Sequence, residues 1–319
     1  MSTEMTDTAT LQRLLDQLAT TVVGKGEQLR VVLAAVLAGG HVLLEDVPGV
    51  GKTLAAKALA EHLGLAFSRI QFTPDMLPSD VTGALHYDQR SCEYSFRRGP
   101  LFAGLVLADE VNRAPAKTQA ALLQAMAEGE VSVDGTTHPL PSPFHVIATA
   151  NPVEYEGTFS LPEAQLDRFH VRARIGYPDA ASEITMVHAV ARTGTASAPA
   201  NAADLIINLP MWQARLRSVQ VSDPVADYVV RLVTGTRTHS ALSLGASPRG
   251  SLALTQCAQA WALIDGRDFT TPDDVQLMAE PVLAHRLSLR PELWGSRMTT
   301  EQVLEQVLAA TPTPNATTG

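Results

Sequence analysis

The stretch 41-HVLLEDVPGVGKTLAAKAL-59 constrains this chain's fold more than any other. An apolar run, a glycine-bearing turn, the triplet Gly51-Lys52-Thr53 and a helix-compatible run follow one another without a break. A buried strand that turns directly into a helix is a βα unit, and such units build parallel sheets. In this unit the backbone N–H groups of the turn and of the helix start converge on one point, which suits a phosphate. The full loop pattern is G-x-x-x-x-G-K-[ST]. Its first glycine is replaced here by Asp46. Gly49 and Gly51, nearest the phosphate, are kept, and Pro48 stiffens the entry. A side chain at position 46 is compatible with the loop if it points away from the nucleotide. Lys52 then reaches the β- and γ-phosphates, and the Thr53 hydroxyl offers a Mg2+ ligand. The competing reading is a plain Gly-rich turn between strand and helix; the intact Gly-Lys-Thr weighs against it.

Strand and helix patterns keep alternating after this unit. The strands are expected at 41–45, 66–71, 105–109, 144–149 and 169–175, with helices at 53–62 and 115–128. Leu11, Leu14, Leu15 and Leu18 fall on one face of an earlier helix. Two short hairpins interrupt the alternation, 84–96 and 131–140; the second carries the tight-turn pair Asp134-Gly135. Past Pro178 the strands are expected to stop, and helices follow at 182–193, 224–238, 247–263 and 272–289. The expected organisation is a polar N-terminal tail (1–10), an α/β domain (11–178), a helical domain (179–290) and a C-terminal tail (291–319). The run 193-TGTASAPANAA-203 reads as a linker.

Composition excludes several function classes. With 319 residues and 45% apolar content the chain can bury the cores of two domains. The net charge of −9 and the lack of a Lys/Arg run argue against a broad nucleic-acid surface. Cys92 and Cys257 are far apart and read as reduced residues of a cytoplasmic protein. The acidic, polar N-terminus is unlike a signal peptide, and the run 31–44 is too short to span a bilayer.

Four further signals accompany the phosphate loop. In 105-LVLADEVNRAP-115 an apolar strand ends in Asp109 and Glu110, which fits a Walker B element. Asp109 would hold the Mg2+ shell and Glu110 would polarise the attacking water. In 144-FHVIATANP-152 another strand ends in Asn151, whose amide can orient that water. In 161-LPEAQLDRF-169, Arg168 stands where it can reach a neighbouring subunit's γ-phosphate; a surface salt bridge with Asp167 or Glu163 is the alternative. In 245-GASPRG-250, Arg249 begins a helix and would touch the same nucleotide from the lid side. The scattered His138, His145, His170 and His188 read as structural or surface residues.

All five signals, in this order, resemble the AAA+ ATPases, and the strings narrow the resemblance to the MoxR family. These are EDVPGVGKT, FTPDMLPSDVTG, FRRGPLF, LADEVNRAPAKTQAALLQAMAEGEV, ATANP, LPEAQLDRF and GASPRGSLAL. They cover roughly residues 20–290. Members commonly share the non-glycine opening of the loop. The resemblance implies an α/β P-loop core with a five-stranded parallel sheet, an all-helical lid, and a hexameric ring with ATP and Mg2+ at its interfaces. By position it makes Lys52 and Thr53 Walker A, Asp109 and Glu110 Walker B, Asn151 sensor 1, Arg168 the arginine finger and Arg249 sensor 2. Pro48, Gly49, Val50, Gly51 and Leu54 belong to the same loop, and Val22, Val23 and Gly24 resemble a segment that flanks adenine. Arg113 falls near the expected interface. Ala150 departs from the glutamine of many members. The implied function is ATP-driven remodelling or maturation of a client protein, with a separate von Willebrand A domain partner and in some cases metal-cofactor insertion. The motor subunit of a metal chelatase and an ATP-switched binding module remain as alternatives.

Overall fold

The computed structural model describes residues 9–46, 49–151, 159, 161–193 and 205–314. The α/β part contains α1 (Ala9–Thr21), α2 (Gly26–Leu37), β1 (Val42–Glu45), α3 (Lys52–His62), β2 (Phe67–Gln71) and α4 (Pro78–Thr82). It continues through β3 (Gly83–Asp88), β4 (Glu93–Arg98), β5 (Leu105–Asp109), α5 (Ala116–Glu128), β6 (Glu130–Val133) and β7 (Thr136–Pro139). It closes with β8 (His145–Ala150), α6 (Glu163–Leu166) and β9 (Val171–Ala173). The remainder is α7 (Ala180–Thr193), α8 (Leu209–Leu216), α9 (Asp223–Thr238), β10 (Leu242–Leu244), α10 (Pro248–Ile264), α11 (Pro272–Leu283), β11 (Ser288–Leu289) and α12 (Thr300–Ala310).

The main sheet has the order β2-β5-β8-β1-β9, and every neighbouring pair is parallel. Alternation along its central strands divides two apolar layers. Val42 and Leu44, Leu105 and Leu107, and Ile147 join the cluster beneath α1, α2, α3 and the C-terminal helices. Leu43, Val106, Ala108, Val146 and Ala148 join the cluster beneath α5. A sheet covered on both faces requires this near-continuous run of apolar residues. Register brings the functional strand ends together, pairing Glu45 with Ala150 and Gln71 with Asp109. Parallel strands that end in register place their C-terminal residues along one edge, where open α/β sheets bind ligands.

Both expected hairpins form, as β3–β4 and β6–β7. At the second, Asp134 and Gly135 both have positive φ (47° and 77°), as a two-residue primed turn needs.

The structure differs from the sequence expectations at four places. Residues 9 and 10 of the expected N-terminal tail start α1, with Thr10 buried. The expected helix 272–289 stops at Leu283. His285 and Arg286 then turn inward to the carbonyl of Phe169, and β11 pairs with β10, so strands do not end at Pro178. The expected tail from 291 carries α12, capped by Thr299 and Gln302 and anchored by buried Val303, Leu304 and Val307. The helical part therefore runs through residue 310. Finally, α4 and α8 are short helices that periodicity did not mark. Residues 1–8 and most of the expected linker lie outside the described residues.

The helical part is not separate from the core. Residues of α10 such as Leu254, Ala258 and Trp261 share one apolar cluster with Val32 and Leu33 of α2. Arg30 of α2 stacks on the Trp261 ring at 4.0 Å and pairs with Asp265.

Candidate functional site

The turn after β1 needs its glycines. Gly49 and Gly51 have φ of 86° and 90°, a region that side chains with a Cβ enter at a cost. A Cβ on Gly49 would meet nothing within 4 Å, and one on Gly51 would lie 3.8 Å from Val22. The backbone conformation, not crowding, is what selects glycine here. Gly51 caps α3 without any side-chain bond, so the first N–H groups of α3 remain available at its positive end. Pro48 lies outside the described residues. Val50 is buried beneath the turn.

Lys52 folds back and donates to the Asp46 carbonyl at 2.8 Å. Burial lowers its pKa, while Asp46, Asp109 and Glu110 oppose that shift. The Asp46 side chain points away from the loop. Its carboxylate accepts the N–H groups of Ile175 and, at 2.7 Å, Gly176, just beyond β9. Position 46 tolerates a side chain in place of the loop's first glycine because that side chain is directed away from the loop, onto the backbone after β9.

Asp109 and Glu110 sit at the end of β5 and are oriented by different partners. The Thr149 hydroxyl, fully buried in β8, donates to Asp109 Oδ1 at 2.7 Å and accepts the Glu110 N–H at 2.8 Å. Arg69 from β2 donates to Asp109 Oδ2 at 2.6 Å. Glu110 has φ 57°, and this left-handed residue breaks the strand direction. Its carboxylate accepts from Gln71 at 2.7 Å and from Arg113 at 3.0 Å. Asn151 is buried, and its carbonyl accepts from Asn112 at 3.2 Å.

These groups line one cavity of about 430 Å3, which includes Lys52, Thr53, Arg69, Asp109, Glu110 and Asn151. An amide-rich helix start with a lysine can hold phosphate oxygens. The Thr53 hydroxyl and the Asp109 carboxylate are hard oxygen donors of the kind Mg2+ takes beside phosphates. The residues therefore fit a magnesium–nucleotide pair. An adjoining pocket of about 420 Å3 shares Gly49, Gly51 and Leu54 and is walled by Val22, Val23, Tyr177 and Met186. Its apolar walls suit a flat heterocycle. Gly24 lies close by, where a Cβ would fall 2.5 Å from Ser182 Oγ, so α7 packs tightly on this segment.

Arg168 and Arg249 are elsewhere. They line a third pocket together with Asp167, His170 and Arg286, and share no cavity with Lys52. The start of α10 packs beside the end of α6, where Ser247 donates to Asp167 at 3.0 Å, and this packing sets Arg249 in the pocket with Arg168. Asp167 pairs with Arg286 at 2.9 Å, and Arg168 donates to the Leu123 carbonyl.

Sequence reasoning missed Arg69, Gln71 and Thr149. The spacing of Arg69 and Gln71 on β2, two residues apart and both exposed, was the available signal. Tyr177 and Lys25 were missed as well; Lys25 is buried and donates to the Tyr177 carbonyl at 2.5 Å.

Comparisons with known proteins agree with this geometry. Residues 41–171 match the family described as "ATPase family associated with various cellular activities (AAA)", and residues 234–307 match the AAA lid domain. The chain is 40% identical to "Chaperone MoxR1" of Mycobacterium tuberculosis over 316 residues, covering 96% of this chain and 82% of that one. It belongs to the MoxR family of AAA+ ATPases. It is also 46% identical to "Uncharacterized protein YeaC" of Bacillus subtilis, covering 95% of each chain. A crystal structure of a putative ATPase from Cytophaga hutchinsonii superposes with a TM-score of 0.88 at 36% identity, covering 96% of both chains. As the MoxR family implies, the architecture is an AAA+ core with a helical lid. Among the described residues no helix is long and apolar enough to cross a membrane.

Proposed function

We propose that this MoxR-family chain binds Mg2+ and ATP in the cavity at the sheet edge and hydrolyses ATP within a homohexameric ring. The observation that carries this reading is a division of labour. Lys52, Thr53, Asp109, Glu110 and Asn151 gather in one cavity, while Arg168 and Arg249 gather in another. A single subunit then gathers the phosphate- and water-facing groups, with Arg69 on Asp109, but keeps Arg168 and Arg249 out of that cavity. A neighbour in a ring supplies both arginines in trans.

In this reading the N–H groups at the start of α3 and the Lys52 ammonium hold the β- and γ-phosphates. Lys52 leaves the Asp46 carbonyl to do so. Thr53 and Asp109 would hold Mg2+, which would supply Lewis-acid neutralisation of phosphate charge. Arg69 withdraws from Asp109 Oδ2 to make room. Glu110 exchanges its bond to Gln71 for one to the attacking water and accepts that water's proton, with Asn151 orienting the same water. Val22, Val23 and Gly24 flank the adenine.

The work of the ring is remodelling or maturation of a client protein, together with a separate von Willebrand A domain protein and in support of metal-cofactor insertion. The relative named "Chaperone MoxR1" supports the chaperone part. The experiment is a trapped-state capture. Glu110→Gln should bind ATP and Mg2+ and stall, retaining partners that Lys52→Ala does not retain. A von Willebrand A protein and an enzyme held only by the Glu110→Gln protein support the reading. Identical captures by the two variants contradict it.

A further inference from the structure

Asp46 is where the chain departs from the ordinary phosphate loop, and its bonds reach well beyond that loop. Its backbone N–H donates to the Ala150 carbonyl at 3.1 Å, one residue before Asn151. Its carbonyl accepts the Lys52 ammonium at 2.8 Å. Its carboxylate, buried at 7% exposure, accepts the N–H groups of Ile175 and Gly176. A buried carboxylate is tolerated only where hydrogen-bond donors replace its lost water, so these two amides are what keep the anion inside.

Ile175 and Gly176 belong to the short segment that leads from β9 into α7. The next residue is held from another direction. The buried Lys25 ammonium donates to the Tyr177 carbonyl at 2.5 Å, and Tyr177 lines the pocket that adjoins the phosphate cavity. Three consecutive residues of the junction, 175–177, are thus fixed by two side chains: Lys25, which lines the adjoining pocket, and Asp46, three residues before Gly49. A glycine at position 46 would keep the backbone groups that bond Ala150 and Lys52 and would remove one of the two fasteners.

We propose that Asp46 is a positioning residue that couples nucleotide occupancy to the junction between the α/β core and α7. The proposal rests on the ATP-binding reading above. When Lys52 moves from the Asp46 carbonyl onto phosphate, the restraint on the backbone of residue 46 changes. The carboxylate transmits that change to residues 175 and 176, and through them to α7.

The test compares the full-length wild type with Asp46→Gly and Asp46→Asn, using ATP with Mg2+ as the ligand. Three quantities are measured: binding of a fluorescent ATP analogue, kcat and KM for phosphate release, and hydrogen exchange of peptides spanning residues 171–180 with and without nucleotide. In Asp46→Gly the junction amides should exchange about 10-fold faster or more, as loss of one charge-assisted bond implies. ATP should no longer alter that exchange. Nucleotide affinity should stay within about 3-fold of wild type, because the loop's phosphate-facing N–H groups are untouched, while kcat falls about 10-fold at nearly constant KM. Asp46→Asn keeps an acceptor oxygen and should lie between the two; if the glycine variant fails to fold, this variant carries the test. Wild-type exchange at 171–180 in both variants would overturn the proposal. So would a loss of affinity as large as the loss of kcat, which would place Asp46 in the phosphate cradle instead. Failure of the wild type itself to bind ATP would refute the ATP-binding reading, a separate outcome.

Discussion

Acidification should destabilise this protein through histidines that the fold locks in their neutral form. His41 is buried at the start of β1, where its Nε2–H donates to the Met126 carbonyl at 3.1 Å and its Nδ1 accepts the Val146 N–H at 3.0 Å. Both nitrogens are committed, so a second proton would orphan a backbone N–H. Burial, reinforced by His145 and His170, pushes the His41 pKa down to about 3. His170 is pushed down to about 4 by burial and then by Arg286 and His145. Burial lowers His145 and His285 in the same direction. In the unfolded chain each takes up a proton near pH 6.5. The stabilisation is therefore complete above pH 6.5 and is lost as pH falls from 6.5 towards 3–4, because only the unfolded state gains protons in that window. From pH 7.5 to 5.5 each neutral histidine removes about 1.4 kcal/mol, so His41 and His170 together remove about 3 kcal/mol. For a chain of 319 residues that corresponds to about 4–5 °C in Tm. Thermal unfolding at the two pH values, both above the range where ordinary carboxylates protonate, reads the effect directly. His41→Gln should be less stable at pH 7.5 and should show a shallower dependence on pH. A Tm that stays within about 2 °C between pH 7.5 and 5.5 would refute the assignment of neutral, buried histidines.

Two further outcomes follow from the packing. Thr149→Val keeps the shape but orphans the Glu110 N–H and one Asp109 oxygen; it should cost about 2–5 kcal/mol in urea unfolding and slow phosphate release, whereas Thr149→Ser should retain both. A valine variant that matches the serine variant in both assays would show that the hydroxyl bridge is idle. Truncation after residue 290 removes buried Val303, Leu304 and Val307 of α12 and the Glu301–Arg172 pair at 2.6 Å; it should cost about 5 kcal/mol and lower Tm, and an unchanged Tm would mean that α12 packs without consequence.

What the sequence makes legible follows from how local each signal is. β5 is an uninterrupted apolar run that ends in Asp109, and the mostly apolar β8 leads straight into Asn151, so both residues are legible in the sequence as strand-end groups. Gly49, Gly51 and Lys52 are defined within a single turn. Arg69 and Gln71 escaped because an exposed pair on the edge strand β2 looks like any solvated face; only the pairing of β2 with β5 brings them to Asp109 and Glu110. The Thr149 hydroxyl lies inside a strand that reads as apolar. The partners of Asp46 are 129 and 130 residues away, so no window on the chain reveals them. Likewise β10 and β11 are two or three residues each and exist only because α9, α10 and α11 bring them side by side. Arg249 was identified as a candidate, but its position beside Arg168 depends on how α10 packs, which spacing does not encode.

The measurement that bears most directly on a ring with shared active sites is a mixing experiment. Arg168→Ala retains the phosphate loop and loses the arginine; Lys52→Ala loses the loop and retains the arginine. Each alone should release almost no phosphate. Mixed subunits should recover turnover, up to about a quarter of the wild-type rate at equal amounts if sites act independently and subunits assort at random. Recovery that rises and falls with mixing ratio is the predicted result. No recovery at any ratio, although both variants assemble and Arg168→Ala binds ATP, would contradict a site completed by the neighbouring subunit.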